Sequence, residues 1–259
     1  MPPIFCIISL GRSRGKTRLI EWMTSQLSSL GMKIATIKHS RESIDLRGKD
    51  TYRHLEAGAI ETCYISPGEI VTIRRVKGSI EDAIASLHVK PDLILVEGFK
   101  NAPYPKILCA NTLNEVKEAL GKIPNIVGVF GENLPASTHE LKIMDREEIL
   151  SIVRDAVVEY WVSQIPGFNC GRCRYGSCKL LAEAIKRGEA TIRDCVMKDL
   201  QIARIMVDDR EIPLGPWPQK LLRSILKAFI GSLKDGEAVL ENARRIFVKV
   251  NLEDGGGEG

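Results

Sequence analysis

The sequence predicts an α/β fold: a mainly parallel, doubly wound sheet, followed by a small four-cysteine domain and a small α+β C-terminal segment. Three observations predict it. Short apolar, β-branched runs alternate with helix-length stretches over the first 160 or so residues, the order that puts a helix on each crossover between parallel strands. Four of the seven cysteines fall between residues 170 and 195. Beyond residue 200 the pattern becomes a strand pair, a helix and one more strand. The expected boundaries are 1–163, 164–199 and 200–251, with a disordered tail at 252–259 (residues 254–259 read DGGGEG).

Residues 4–10 (IFCIISL), 33–38, 61–66, 92–96, 106–110 and 126–130 read as buried strands, being short, apolar and flanked by Gly or Pro. Between them, 16–30 ends at Gly31 and 50–57 at Gly58, each Gly placed to satisfy the last helical carbonyls. A third helix spans 80–87, and 69–76 adds a hairpin strand behind the Pro67-Gly68 turn. Residues 145–163 form a long helix with Asp145 as N-cap and acidic residues in its first turn. Pro166-Gly167 breaks it. A helix at 179–186 turns at Gly188. The last segment holds a strand pair around 204–214, a helix at 219–233 after the Pro216-Trp217-Pro218 turn, and a strand at 245–250. Cys6, Cys63 and Cys109, inside the strands, read as buried core thiols.

Composition excludes several classes. Lys+Arg 37 against Asp+Glu 33 gives +4, too weak a bias to argue for nucleic acid. Aromatic residues at 5% supply few stacking platforms. No apolar run approaches the ~20 residues of a membrane helix, and residues 1–4 turn at once into a strand without a signal-peptide pattern. A cytoplasmic protein without nucleic-acid or membrane partners is expected. An odd cysteine count with no export signal argues against a disulfide framework and for metal chemistry.

Directly after the first strand comes Gly11-Arg12-Ser13-Arg14-Gly15-Lys16-Thr17-Arg18, running into a helix. Strand, Gly-rich loop and helix N-terminus together bind phosphate: backbone N–H groups converge and the helix dipole favours an anion. Lys16 can reach β/γ oxygens and Thr17 can ligate Mg²⁺. The usual four residues between the first Gly and Gly-Lys are here three, with Leu10 where the first Gly belongs. Glu97, at the C-terminal end of an apolar strand, is the second metal-binding acid, because ligands of open α/β sheets sit at that edge. Asp92, at the strand's beginning, is the weaker candidate. Lys16 and Glu97 are thus the expected catalytic pair.

These residues carry a resemblance. The first 160 or so residues are similar to the molybdopterin-guanine dinucleotide biosynthesis protein B family of P-loop proteins. The matching pieces are Gly15-Lys16-Thr17, Thr36-Ile37-Lys38-His39, Gly48-Lys49-Asp50-Thr51-Tyr52-Arg53-His54, Ala57-Gly58-Ala59, Leu95-Val96-Glu97-Gly98-Phe99-Lys100 and Pro105-Lys106-Ile107. The connection from His39 to Gly48 is short for the family; Asp45 is kept, while Ser43 replaces an acid. The resemblance implies a P-loop NTPase fold that binds GTP with at most slow, Mg²⁺-dependent hydrolysis. It also implies a partner enzyme that attaches GMP to molybdopterin. Lys38, His39, Asp50 and Arg53 are polar groups suited to phosphate, metal or pterin contacts, though Asp50 also reads as a helix N-cap and Arg53 as a surface residue. His54 reads as structural or solvent-facing.

Cys170, Cys173, Cys178 and Cys195 are spaced C-x2-C-x4-C-x16-C. Three ligands in one loop and one far off favour a cubane over a zinc ribbon, which presents two short-spaced pairs. Residues 166–195 resemble the four-cysteine [4Fe–4S] domain of corrinoid iron–sulfur proteins, including the Asn-Cys-Gly opening. Zinc is the alternative metal. Arg172, Arg174, Lys179, Lys186 and Arg187 around it offset an anionic cluster, form a docking face for an acidic redox partner, or simply line a solvated helix.

The leading expectation is a GTP-binding accessory protein of molybdenum or tungsten cofactor biosynthesis with an added cluster. A nucleotide-coupled electron-transfer protein that reduces a partner's metal centre is the alternative, and a non-enzymatic scaffold the third. The C-terminal α+β segment reads as packing, a unit that holds the cluster domain or forms a homodimer.

Overall fold

The computed structural model describes residues 1–40, 50–74, 76, 78–132, 134, 137–138, 141–198, 203, 205–207, 210–212, 214, 216–241, 243 and 246–248. The chain divides into two compact units, Met1–Ser163 and Gln164–Gly259.

In the first unit the elements follow in the order β1 (Ile4–Ile8), α1 (Lys16–Ser29), β2 (Ile34–Lys38), α2 (Asp50–Glu56), β3 (Glu61–Ile65), β4 (Ile70–Arg74) and α3 (Ile80–Ala85). Then come β5 (Leu93–Glu97), β6 (Lys106–Cys109), α4 (Leu113–Lys122), β7 (Ile126–Phe130), the short pair β8 (Ser137–Thr138) and β9 (Leu141–Lys142), and α5 (Arg146–Ser163). Five strands form one parallel sheet in the order β2-β5-β1-β6-β7. Helices cover both faces. On one, Ile4, Cys6 and Ile8 of β1 pack with Ile80 of α3 and with Val116 and Ala119 of α4. On the other, α1 buries Leu19, Met23 and Leu27, and α5 buries Ile149, Val153, Val157 and Trp161. Alternate side chains of a strand point to opposite faces, so the unbroken apolar runs of β1 and β5 are what a sheet covered on both sides requires.

Asp145 caps α5 as expected: its carboxylate accepts the Glu148 N–H at 2.8 Å and Glu148 returns the contact to the Asp145 N–H at 3.2 Å. Asp92 ties the start of β5 to two other elements. Its carboxylate accepts the Lys33 N–H and the Trp161 indole N–H, each at 2.8 Å, and it is buried. It belongs to the core at the amino edge of the sheet, far in function from a metal ligand.

Residues 61–66 depart from the expected buried sheet strand. β3 pairs only with β4 in a separate antiparallel hairpin, closed by the Ser66 N–H on the Glu69 carbonyl at 3.0 Å. Of this strand only Thr62 is buried, while Tyr64, Ile65 and Cys63 are exposed. Cys63 is therefore not a core thiol. A two-stranded ribbon has one thin face to cover, and side-chain type alone does not tell it from a central strand. α4 had no counterpart in the expected elements, although Thr112 caps it by accepting the Glu115 N–H at 3.3 Å.

The second unit contains α6 (Cys178–Lys186), a 3₁₀ turn at Ile192–Asp194, an antiparallel pair β10 (Ile205–Val207) and β11 (Arg210–Ile212), α7 (Pro216–Gly231) and α8 (Gly236–Glu241). The helix expected at 219–233 begins earlier, because Pro is well tolerated in a first helical turn. Residues 246–248 are not in a strand, contrary to the strand expected at 245–250. The rest of that stretch and the tail lie outside the described residues.

Candidate functional site

The carboxyl ends of β2, β5, β1, β6 and β7 open into one cleft of about 1470 Å³. The loop after β1 forms its floor. Gly15, at φ 80°, takes the left-handed conformation that turns the chain into α1. Lys16 reaches back from the first turn, its Nζ donating to Ser9 Oγ at 2.8 Å; the Ser9 hydroxyl in turn donates to the Gly11 carbonyl at 2.6 Å. Ser9 is buried, so the lysine is drawn across the loop mouth by a fixed acceptor.

Glu97, the last residue of β5, brings its carboxylate to Thr17 Oγ1 at 3.3–3.4 Å and to Lys38 Nζ at 3.9 Å. A hydroxyl, a carboxylate and an ammonium thus converge beside the loop. The turn after Glu97 depends on Gly98, whose φ is 104° and where a Cβ would come within 3.2 Å of the His39 Cβ. His39 and Phe99 lie with ring centroids 4.3 Å apart, which closes this side of the cleft. Behind it, the fully buried Lys106 donates to the Ala102 and Tyr104 carbonyls at 2.6 and 3.0 Å and so anchors the 98–105 loop from below.

Gly11, Arg12, Ser13, Arg14, Gly15, Lys16, Thr17, Arg18, Lys38, His39 and Glu97 all line the cleft. Arg14 does not reach freely into it. Its guanidinium donates to Glu115 at 2.8 Å and to the Arg12 carbonyl at 3.1 Å. The Arg14 hydrogen bond and the Asn111 N–H hold the Glu115 carboxyl below the usual carboxylate range. Arg53 is exposed on α2 and is not among the lining residues. Asp50 begins α2, but its side chain, with Gly48, Lys49, Asp45 and Ser43, lies outside the described residues. Ser9 and Glu115 escaped sequence reasoning, and Lys106 entered it only as part of a matching block without a role. For Glu115 a signal existed, since Thr112 followed three residues later by Glu is a helix-start pattern.

The second unit gathers the four cysteines. Cys170, Cys173, Cys178 and Cys195 line one pocket, together with apolar Pro166, Phe168, Leu181, Val196 and Met197. Asn169 locks the loop: at φ 45° its side chain accepts the Cys178 N–H at 3.1 Å, and its own N–H donates to Cys178 Sγ at 3.4 Å. Ser177 caps α6 on the Leu180 N–H, and Thr191 with Asp194 caps the 3₁₀ turn that delivers Cys195. Among the described residues no group of three or more His, Cys, Asp or Glu is gathered to hold a metal ion, and the four cysteines share one pocket lining. Two of the five nearby basic residues already have partners. Arg174 lies over the Tyr175 ring at 4.8 Å and 3.7 Å from Asp194, and Arg187 pairs with Glu189 at 2.8 Å. No described helix is long and apolar enough to cross a membrane.

Comparison with known proteins decides the family. Residues 4–131 match the model for molybdopterin guanine dinucleotide synthesis protein B, and residues 165–197 match a model for a presumed Fe-S cluster. A protein of Methanocaldococcus jannaschii, provisionally named molybdopterin-guanine dinucleotide biosynthesis adapter protein, is 30% identical over 245 residues, covering 93% of this chain and 94% of the relative. The chain belongs to the molybdopterin-guanine dinucleotide biosynthesis protein B family. The molybdopterin-guanine dinucleotide biosynthesis adapter protein of Haemophilus influenzae is 28% identical over 158 residues, 59% of this chain and 86% of its own length. The crystal structure of Bacillus subtilis MobB covers 60% of this chain and 98% of its own, at 23% identity and TM-score 0.49. The M. jannaschii protein thus shares nearly the whole length of this family member, whereas the other two align with little more than half of it.

Proposed function

We propose that this family member is a GTP-binding adapter of molybdopterin guanine dinucleotide formation, for molybdenum or tungsten cofactors, and that it carries a [4Fe–4S] cluster on its second unit. The observation that carries the nucleotide half is the convergence of Lys16, Thr17 and Glu97 at the carboxyl edge of the sheet. Phosphate would lie against the N-terminus of α1, where converging N–H groups and the helix dipole favour an anion. Lys16 would exchange Ser9 for a phosphate oxygen. The Thr17 hydroxyl and the Glu97 carboxylate are hard oxygen ligands of the kind Mg²⁺ takes alongside substrate phosphates. Hydrolysis is at most slow, and the chemistry of GMP transfer belongs to a guanylyltransferase-type partner. The family relationship favours this reading over nucleotide-driven electron transfer.

Cys170, Cys173, Cys178 and Cys195 would hold the cluster. Three thiolates from one loop and a fourth from after the 3₁₀ turn suit a multi-iron centre better than the two short-spaced pairs of a zinc ribbon. When bound, such a centre supplies one-electron chemistry.

An anaerobic titration of the full-length protein with GTP and ATP, with and without Mg²⁺, tests the first half. Mg²⁺-dependent saturable GTP binding is expected; failure to bind either nucleotide overturns it. Iron and acid-labile sulfide at about four each per chain is expected for the cluster. A colourless, zinc-loaded protein overturns that half alone.

A further inference from the structure

We infer that the end of the cleft beside β7 is a nucleobase subsite, in which the Glu132 carboxylate reads guanine and Arg146 positions that carboxylate. This deepens the proposed function and rests on phosphate binding at the loop after β1.

Strand order sets the direction in which a nucleotide must lie. The phosphate loop follows β1, the central strand of β2-β5-β1-β6-β7. The groups suited to Mg²⁺ and the terminal phosphates, Glu97 and Lys38, stand at the ends of β5 and β2, on one side of it. Ribose and base must leave on the other side, across β6 toward β7. The cleft continues that way, past Asn111 behind β6 to Phe130 at the end of β7 and Glu132 just beyond. The turn between them is tightly seated: a Cβ at Gly131 would lie 2.3 Å from the Ala110 carbonyl oxygen, so the chain entering Glu132 presses directly on the end of β6.

Guanine presents N1–H and its 2-amino group side by side, two donors for the two oxygens of a carboxylate. Adenine offers a lone pair at N1, which a carboxylate repels. One group therefore both selects and rejects. Glu132 pairs with the Arg146 guanidinium, which in turn lies 5.9 Å from the Trp22 ring centroid and 5.8 Å from that of Phe130. Rings from α1 and β7 thus restrain this guanidinium of α5, and through it the carboxylate. The pair is half-exposed, at 41% and 53%, where an ion pair contributes little to folding and leaves the carboxylate open to a ligand.

The test measures GDP, XDP and ADP binding to the full-length protein with Mg²⁺ by calorimetry. Wild type is expected to prefer GDP over ADP. Glu132→Gln is expected to weaken GDP by about ten- to a hundredfold, the cost of one mismatched bidentate contact. The same variant should gain XDP affinity, because its amide places an N–H opposite the C2 carbonyl of xanthine, and ADP, no longer facing a carboxylate at N1, should bind as well as before or better. Arg146→Ala should shrink the GDP-over-ADP ratio while sparing ADP; equal losses for both would remove Arg146 from the assignment. Unaltered GDP binding by Glu132→Gln, with no gain for XDP, overturns the subsite and leaves the phosphate site standing. A wild-type protein that binds no nucleotide at all shows instead that the phosphate site has failed, and the subsite falls with it.

Discussion

Thr17 Oγ1 lies 3.3 Å from Glu97 Oε2, although 80 residues of chain separate the two. Two neighbouring oxygens on an octahedral Mg²⁺, each about 2.1 Å from the metal, stand about 3 Å apart. The parallel pairing of β1 with β5, with Ile7 opposite Glu97, produces this spacing, since it brings the end of β5 level with the start of the phosphate loop.

Glu97→Gln keeps the size of the side chain and removes its charge. Mg²⁺-dependent nucleotide affinity should fall by about tenfold or more, the scale of losing one charged ligand contact, while affinity in EDTA stays within about twofold. Equal losses with and without metal would show that Glu97 acts on the fold and not on Mg²⁺.

Lys16→Ala should abolish measurable nucleotide binding without unfolding the protein. The lysine's only hydrogen bond among the described contacts is to Ser9, so the melting temperature should move little. Unchanged affinity would show that this shortened loop is not the phosphate site.

Asp92 and Trp161 test the opposite edge of the sheet. Asp92→Ala leaves the Lys33 N–H and the indole N–H without their acceptor in a buried place, and should cost about 2–3 kcal/mol of stability in a urea titration. Trp161→Phe removes one donor and keeps most of the packing, so its cost should be smaller. Nucleotide affinity should be unaltered in both, because neither residue touches the cleft.

The Arg14–Glu115 pair should show in the pH dependence of stability. The hydrogen bond from Arg14 lowers the Glu115 carboxyl below its ordinary 4.5. A lowered folded value means that the stabilisation is present above the unfolded value and is lost as pH falls through the folded one. Arg14→Ala should therefore lower the melting temperature near neutral pH. In strongly acid buffer, where wild-type Glu115 is itself protonated, the difference should shrink to what the Arg12 carbonyl contact contributes.

Much of this was legible in the chain. The central strands β1, β5 and β6 appear as apolar runs because burial on both faces leaves no room for alternation; the edge strand β2, expected to be buried, has no buried residue. The loop residues 11–18 stand out because phosphate chemistry needs fixed types in a fixed order. What stayed hidden depends on partners distant in sequence. Arg14 reads either as charge against phosphate or as a solvent-facing residue until Glu115, 101 residues on, is seen to take its guanidinium. Lys106 opens a strand expected to be buried, but only the structure shows that its ammonium is taken up by carbonyls of the loop before it. The β3–β4 ribbon uses the same residue types as the main sheet, and only pairing distinguishes them. The cysteine spacing is local, and so was readable.

The seven thiols differ in how they would meet an alkylating reagent. Burial pushes Cys6 up to about 11 and Cys109 up to about 12, which keeps both as unreactive thiols at any pH used for labelling. Cys63 is exposed, and the other four surround the second unit's pocket. Counting iodoacetamide adducts on the native protein therefore becomes a gauge of whether those four thiols are held by metal. If the four cysteines of the second unit hold metal as proposed, a loaded molecule is expected to take up label at Cys63 alone, and a stripped one to add Cys170, Cys173 and Cys178, with the buried Cys195 lagging behind.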